Sequence, residues 1–298
     1  MKPWFVQTKT DRIFDVINTF LLVLAMLTCF YPLYYIIVVS FSKQLPGSYL
    51  VPDGFTFAGY KAVFESREIW IGYGNTIFYT VLGVIVALAV TLPGAYALSR
   101  KDLHGRSYVM GLILITMFVN GGLIPTFLTV NSLGLVNTRW IIILSGAASA
   151  YNVIVARTFF STTIPGELLE AAQIDGCGNG YFFVRIVLPL SKPIIAVIAL
   201  YVGVARWNSY YTEMIYLRNE KLYPLALFLR RLLWEIQSVS DMLQKGEVTL
   251  TTDIMERQSL ASVMQYVLIV VSTVPMMLVY PFLQKYFAKG IMIGSVKG

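Results

Sequence analysis

Residues 165–193 read PGELLEAAQIDGCGNGYFFVRIVLPLSKP, a long polar and charged interruption between apolar runs. The spacing predicts two short helices. Pro165 suits a first helical turn, and Glu167 and Glu170 favour the positive end of the helix dipole. The first helix is expected to stop at Gly176, in a Gly176–Cys177–Gly178 break that permits positive φ. Asn179 is placed to cap a second helix, Gly180 to Leu188, which Pro189 ends. Leu168, Leu169 and Ala172 gather on one face, and the small Ala171 and Ala172 let a partner's backbone come close. A helix this short is marginal in isolation. It is expected to lean on a partner.

The sequence on either side of this loop sets the class. The 298 residues are 57% hydrophobic and only 13% charged, where soluble domains carry roughly 25%. That composition predicts an all-α protein crossing a membrane several times, since lipid leaves backbone groups no partner outside a helix or a closed barrel. Six charge-poor runs near the ~20 residues a span requires lie at about 16–41, 71–98, 108–129, 140–157, 193–216 and 259–284. Lys2, Lys9, Asp11, Arg12 and Asp15 precede the first, with no small-residue cleavage site after it, which reads as an uncleaved span rather than a secretory signal. The net charge of +7 comes without any Lys/Arg run, so topology explains it better than nucleic-acid binding. Cys29 and Cys177 fall in a span and in a loop, implying no disulfide. A lone His104 argues against a metal centre.

Basic residues orient the chain. With the N-terminus inside, the cytosolic segments hold Lys2, Lys9 and Arg12; Arg100, Lys101 and Arg106; Arg157, Arg185 and Lys192; and Lys285, Lys289 and Lys297. Their acids are fewer: Asp11, Asp15, Asp102, Glu167, Glu170 and Asp175. Both termini and the 161–192 loop then face the cytosol, while 42–70 and 217–258 lie outside. The stretch Leu225–Trp234 interleaves Leu225, Leu227, Phe228, Leu232, Leu233 and Trp234 with Arg230 and Arg231. It reads either as a loop folded back on the bundle or headgroup layer, or as a surface for an extracytoplasmic protein. Arg206 is the charge deep within a span, about 20 Å along the helix from Pro193. A charge near the bilayer centre costs roughly 2.5–3.5 kcal/mol on insertion scales. Arg206 therefore either snorkels outward or pairs with Glu213, or it faces a wet path, with Trp207 and Tyr210 or Tyr211 offering flat apolar faces beside it.

Glu170-Ala171-Ala172, Asp175-Gly176, then Ile186, Leu188 and Pro189 resemble the EAA loop of permease subunits in binding-protein-dependent ABC importers. In that family the loop carries a cytosolic coupling helix that docks in a cleft of the ATPase. Further matches extend the resemblance over nearly the whole chain. Pro93-Gly94-Ala95-Tyr96-Ala97-Leu98-Ser99-Arg100 looks like the A-Y-A-L-x-R end of the second span in carbohydrate-type permeases. Ile124-Pro125 and Leu133-Gly134-Leu135-Val136-Asn137-Thr138 look like its outer loop between spans three and four, Trp207-Asn208 like the W-N of the fifth span, and Gly290-Ile291 lies in a tail of the family's sort. The order points to the maltose-type branch.

The resemblance implies six transmembrane helices forming half of a path for an oligosaccharide, in a bacterial cell membrane. It implies a second homologous permease, two ATPase subunits and a solute-binding protein as partners. Glu170, Ala171, Ala172, Asp175, Gly176, Leu188 and Pro189 become the ATPase-coupling residues, and Arg206, Trp207, Asn208, Tyr210 and Tyr211 candidates for the path. The chain has no G-x-x-x-x-G-K-[ST], so ATP and Mg2+ belong to the partner ATPase, and no catalytic triad suggests itself. Two alternatives stay open: an importer of the same architecture for amino acids or peptides, and a secondary carrier, although no inverted repeat is visible.

Overall fold

A computed structural model describes residues 8–44, 51–244, 262–278 and 281. Every regular element among them is helical: α1 Lys9–Ser40, α2 Ala58–Glu65, α3 Arg67–Ser99, α4 Arg106–Phe118, α5 Leu123–Ser132, α6 Arg139–Leu144 and α7 Ala150–Thr163. There follow α8 Gly166–Ile174, α9 Asn179–Phe182, α10 Leu188–Leu190, α11 Lys192–Trp207, α12 Tyr211–Tyr216, α13 Leu225–Gln244 and α14 Ser262–Leu278. A π turn, Phe183–Val187, joins α9 to α10. Gly290-Ile291, Lys2, residues 45–50 and the ends of the 259–284 run lie outside the described residues.

Helices α1 and α3 are long and apolar enough to cross a membrane, each with a mean hydropathy of 2.2 in its most apolar stretch. At the start of α1, Thr8 and Asp11 form a capping box: the Asp11 amide donates to Thr8 Oγ1 at 3.2 Å, and the Thr8 amide donates to Asp11 Oδ2 at 2.8 Å. Three other runs expected as single helices are interrupted. Helices α4 and α5 meet at 116°, across a turn where Gly122 has φ +84° and its amide donates to Asn120 Oδ1 at 2.9 Å. Ser145–Ser149 separate α6 from α7, and Asn208–Tyr210 separate α11 from α12. Apolar periodicity sees none of these breaks, because side chains on both sides of each are equally apolar.

The described chain forms two compact units. The first gathers residues up to Ser66 with those of Leu232–Thr273. Its core includes Val39, Val63, Val263, Val267 and Leu268. Gly59 permits a close approach there, since a Cβ would stand 2.9 Å from Val267 Cγ2. Beyond α1, the Phe41 ring stacks on Phe55 at 5.5 Å and meets Tyr60 at 5.0 Å, so the chain after the helix folds back on its own end.

In the second unit, Arg67–Arg231 with the described residues from Val274, α3 is the central strut. One core joins Ala87, Leu92 and Ala95 of α3 to Ala156 and Phe160 of α7 and to Ile194, Ile198 and Val202 of α11. A second joins Tyr79 of α3 to Ile141, Ile142 and Ile143 of α6 and to Tyr216 and Leu217. Polar side chains of α3 hold the strand of chain before α13. Asn75 Nδ2 donates to the carbonyls of Lys221 (2.8 Å) and Tyr223 (3.0 Å), Tyr79 OH donates to Leu222 O (2.9 Å), and the Leu225 amide donates to Thr76 Oγ1 (2.9 Å).

Candidate functional site

The loop between α7 and α11 begins with the helix its sequence predicts. Pro165 occupies the N-cap of α8 and Glu167 its first turn. The helix stops where glycine allows it to: Gly176 has φ +72°. The Cys177 amide donates to Ala172 O at 2.8 Å and the Gly176 amide to Gln173 O at 3.0 Å, the paired bonds of a Schellman ending. Two details differ from expectation. Gly178, not Asn179, holds the N-cap of the second helix, because the Asn179 side chain is engaged elsewhere, accepting from Arg100. Pro189 does not end that helix, which runs through the π turn to Leu190 and gives way at Ser191 to α11 at 80°. Proline lacks the N–H and crowds the carbonyl four residues back, here Arg185, and the widened π turn just before it accommodates both.

One face of α8 is seated and the other is bare. Ala172 is buried, and Leu169 packs with it against Phe160, Phe182 and their neighbours. Leu168, expected on that face, is instead 40% exposed, and Ile174 is 87% exposed. Glu167, Glu170, Ala171 and Asp175 are also exposed. Between α8 and the end of α3 opens a cavity of about 760 Å3, walled by Ser99, Arg100 and Lys101 on one side and Glu167, Glu170 and Gln173 on the other. Of the remaining loop candidates, Leu188 packs against the core beside α7 and α11, while Pro189 lies in the last turn before Ser191.

The second group of candidates sits at the break after α11. Asn208 is the C-cap, its Nδ2 donating to Val204 O at 2.9 Å. Tyr210 and Tyr211 are exposed, and the Arg230 guanidinium lies 5.5 Å over the Tyr210 ring. Trp207 lines a cavity of about 490 Å3 with Ile77, Val81, Val84 and Leu200, an almost wholly apolar space. Arg206 neither snorkels nor pairs with Glu213. Its guanidinium donates to the carbonyls of Ile142, Ile143 and Ser145 and to Ser145 Oγ, satisfying the C-terminal end of α6. Helix C-termini carry orphan carbonyls and negative potential, which a guanidinium answers. Glycine clears its route, as a Cβ on Gly83 would stand 3.2 Å from Arg206 Nε. The buried Glu213 carboxylate instead accepts from Ser209 Oγ at 2.8 Å.

Sequence reasoning missed the polar ties on this side. Asn137 has φ +61°, and its Oδ1 accepts from the amides of Arg218 (3.0 Å) and Asn219 (2.9 Å). Its only sequence signal was its place in the Leu133–Thr138 motif. Asn75, within a span, accepts from Arg139 at 3.2 Å as well as donating to the 221–223 chain. A buried asparagine in an apolar run is itself the flag for such a tie.

No protein-family model matches the chain. Protein LplC of Bacillus subtilis (strain 168) is 38% identical to it over 296 residues, covering 98% of this chain and 97% of that protein. The polygalacturonan/rhamnogalacturonan transport system permease protein YtcP of the same organism is likewise 38% identical over 296 residues, covering 97% and 99%. A chain in the crystal structure of a bacterial ABC transporter involved in the import of the acidic polysaccharide alginate matches the fold with a TM-score of 0.83 at 33% identity, covering 95% of this chain and 99% of that one. The chain belongs to the permease subunits of carbohydrate ABC importers. As such a permease it is an integral membrane protein and not itself an enzyme. The amino-acid, peptide and secondary-carrier readings give way to this one.

Proposed function

We propose that this permease forms half of the path by which an acidic oligosaccharide crosses a bacterial cytoplasmic membrane, with six spans and both termini in the cytosol. A second related permease supplies the other half, a solute-binding protein delivers the sugar from outside, and two ATPase subunits bind ATP and Mg2+. The observation that carries the cargo class is similarity along nearly the full chain to a permease named for polygalacturonan and rhamnogalacturonan and to a chain of an alginate importer.

In this reading α8 is the coupling helix. A marginal helix keeping Leu168 and Ile174 in water gains by burying them against a partner. Glu170, Ala171, Asp175 and the turn at Gly176 set the docking face, and Ala172, Leu188 and Pro189 seat it on the bundle. ATP binding closes the ATPase dimer, α8 moves with it, and the path is exposed to one side and then the other, two states biased by nucleotide and by liganded binding protein. Trp207, Asn208, Tyr210 and Tyr211 border the path at the break between α11 and α12. Arg206 shapes its wall by holding the end of α6 rather than by grasping a carboxylate. Uptake by proteoliposomes carrying the whole importer tests the cargo. Labelled oligogalacturonide should accumulate with ATP while a maltooligosaccharide does not, and the reverse preference would overturn the acidic assignment.

A further inference from the structure

The last turn of α3 is joined to the second half of the loop by two contacts in register. Tyr96 in the last turn of α3 stands four residues before Arg100, just past its end, and Asn179 of α9 stands four before Phe183 of the π turn, so that Asn179 and Phe183 share one helix face. The Tyr96 ring lies 5.1 Å from the Phe183 ring, and Arg100 Nη1 donates to Asn179 Oδ1 at 2.7 Å. The rest of the guanidinium forks onto Asp102, with Nε donating to Oδ1 at 2.8 Å and Nη2 to Oδ2. Only 12% of the Arg100 side chain is exposed, although its partners Asp102 and Asn179 lie open at the surface.

The turn that carries Arg100 is itself tied to the bundle. Arg157 of α7 donates to Leu98 O at 3.3 Å, and Arg106 of α4 donates to Arg100 O at 3.1 Å. Two guanidinium groups thus satisfy carbonyls that a helix end leaves open. Helix α8, by contrast, is set off from the same turn by the large cavity lined by Arg100 and Glu170.

We propose that Arg100 is a positioning residue of the importer, fastening Asn179 to the end of α3 so that displacement of the loop is carried into α3 instead of being absorbed between Gly176 and Phe183. The inference rests on the coupling role proposed for α8. It gives the Ala95–Arg100 motif a purpose: tyrosine supplies the apolar half of the seam and arginine the polar half. Lysine cannot replace it, since a single ammonium does not reach the three acceptors that a planar fork addresses.

Hydrogen–deuterium exchange on the whole importer, with its ATPase subunits and with or without vanadate trapping of nucleotide, tests this without knowledge of the sugar. In the wild-type protein, trapping should change exchange both at residues 176–183 and in the last turn of α3. In Arg100→Gln, Arg100→Lys and Asn179→Ala the loop should still respond, while the nucleotide-dependent change at 96–100 shrinks by about tenfold or more, the least that one charge-assisted hydrogen bond supplies. A merely structural role would raise basal exchange at 96–100 and leave the nucleotide-dependent difference intact. Should Arg100→Gln fail to assemble, the exposed Asn179 decides alone. A wild-type response at 96–100 in Asn179→Ala overturns the clamp while leaving the coupling loop standing. A wild-type loop that ignores nucleotide removes both.

Discussion

Substitution of Gly176 separates backbone geometry from contact in the docking proposed for α8. The residue holds φ +72°, a region in which an L side chain costs about 1–2 kcal/mol. A Cβ there would have no heavy atom within 4 Å, so the cost arises from the backbone alone and no repacking relieves it. The free loop of Gly176→Ala can escape by unwinding the turn, giving up the bonds from Cys177 to Ala172 (2.8 Å) and from Gly176 to Gln173 (3.0 Å). Docking must then restore the turn, and the 1–2 kcal/mol appears as a loss of ATPase affinity of about 5- to 30-fold. Gly176→Val should lose more, since β-branched residues are outliers at positive φ. Gly176→Asn, which tolerates this region, should stay near wild type. Affinity of the ATPase subunits for the permease pair in nanodiscs, read beside insertion and expression, measures the series. Equal affinity for the alanine, valine, asparagine and wild-type proteins would refute the reasoning, because it would show that docking does not need the turn.

Arg206→Gln should lower uptake while assembly and basal ATPase activity persist, and Arg206→Met should also depress the melting temperature, each buried acceptor left unpaired at the end of α6 costing about 1–3 kcal/mol. Unchanged uptake kinetics in Arg206→Gln would detach α6 from the path. Trp234, 48% exposed, is with Arg230 and Arg231 an exposed residue of the stretch proposed to face a binding protein, so Trp234→Ala should weaken stimulation by liganded binding protein and spare basal hydrolysis. Leu225 and Leu227 are buried, and Leu225→Ala should instead cost about 2–5 kcal/mol of stability, read by thermal melting. The Arg100 hydrogen bond holds the Asp102 carboxyl below its usual value. Its contribution to stability is therefore complete above about pH 4 and is lost as pH falls through the folded value. Melting curves of wild type and Asp102→Asn should differ at pH 7 and converge only at the acid end of a series run to pH 3.

The sequence made the helical class legible, because long charge-free runs leave no other solution in lipid. It also made the ending of α8 legible, because only a residue free to adopt positive φ closes that turn. What stayed hidden was decided by residues distant in the chain. The break between α6 and α7 ends on carbonyls answered by Arg206, more than sixty residues later, and no local pattern announces such a partner. Asn179 looked like a cap until Arg100 claimed its oxygen. Leu168 looked like core by helical spacing, yet a nine-residue helix with one buried position does not bury its whole apolar face. That bare face is the part of the candidate site that periodicity misreads.

If the exposed side of α8 is where an ATPase docks, Ile174, 87% exposed at the end of that helix, reports on it most directly. A photo-crosslinking residue at position 174, activated in membranes that hold the complete importer, should yield a single adduct with the mass of the permease plus one ATPase subunit. The adduct should vanish when Glu170→Lys reverses the charge on the same face. No adduct with the ATPase, or an adduct with the extracytoplasmic binding protein, would contradict the account and place this loop on the other side of the membrane or away from the ATPase altogether.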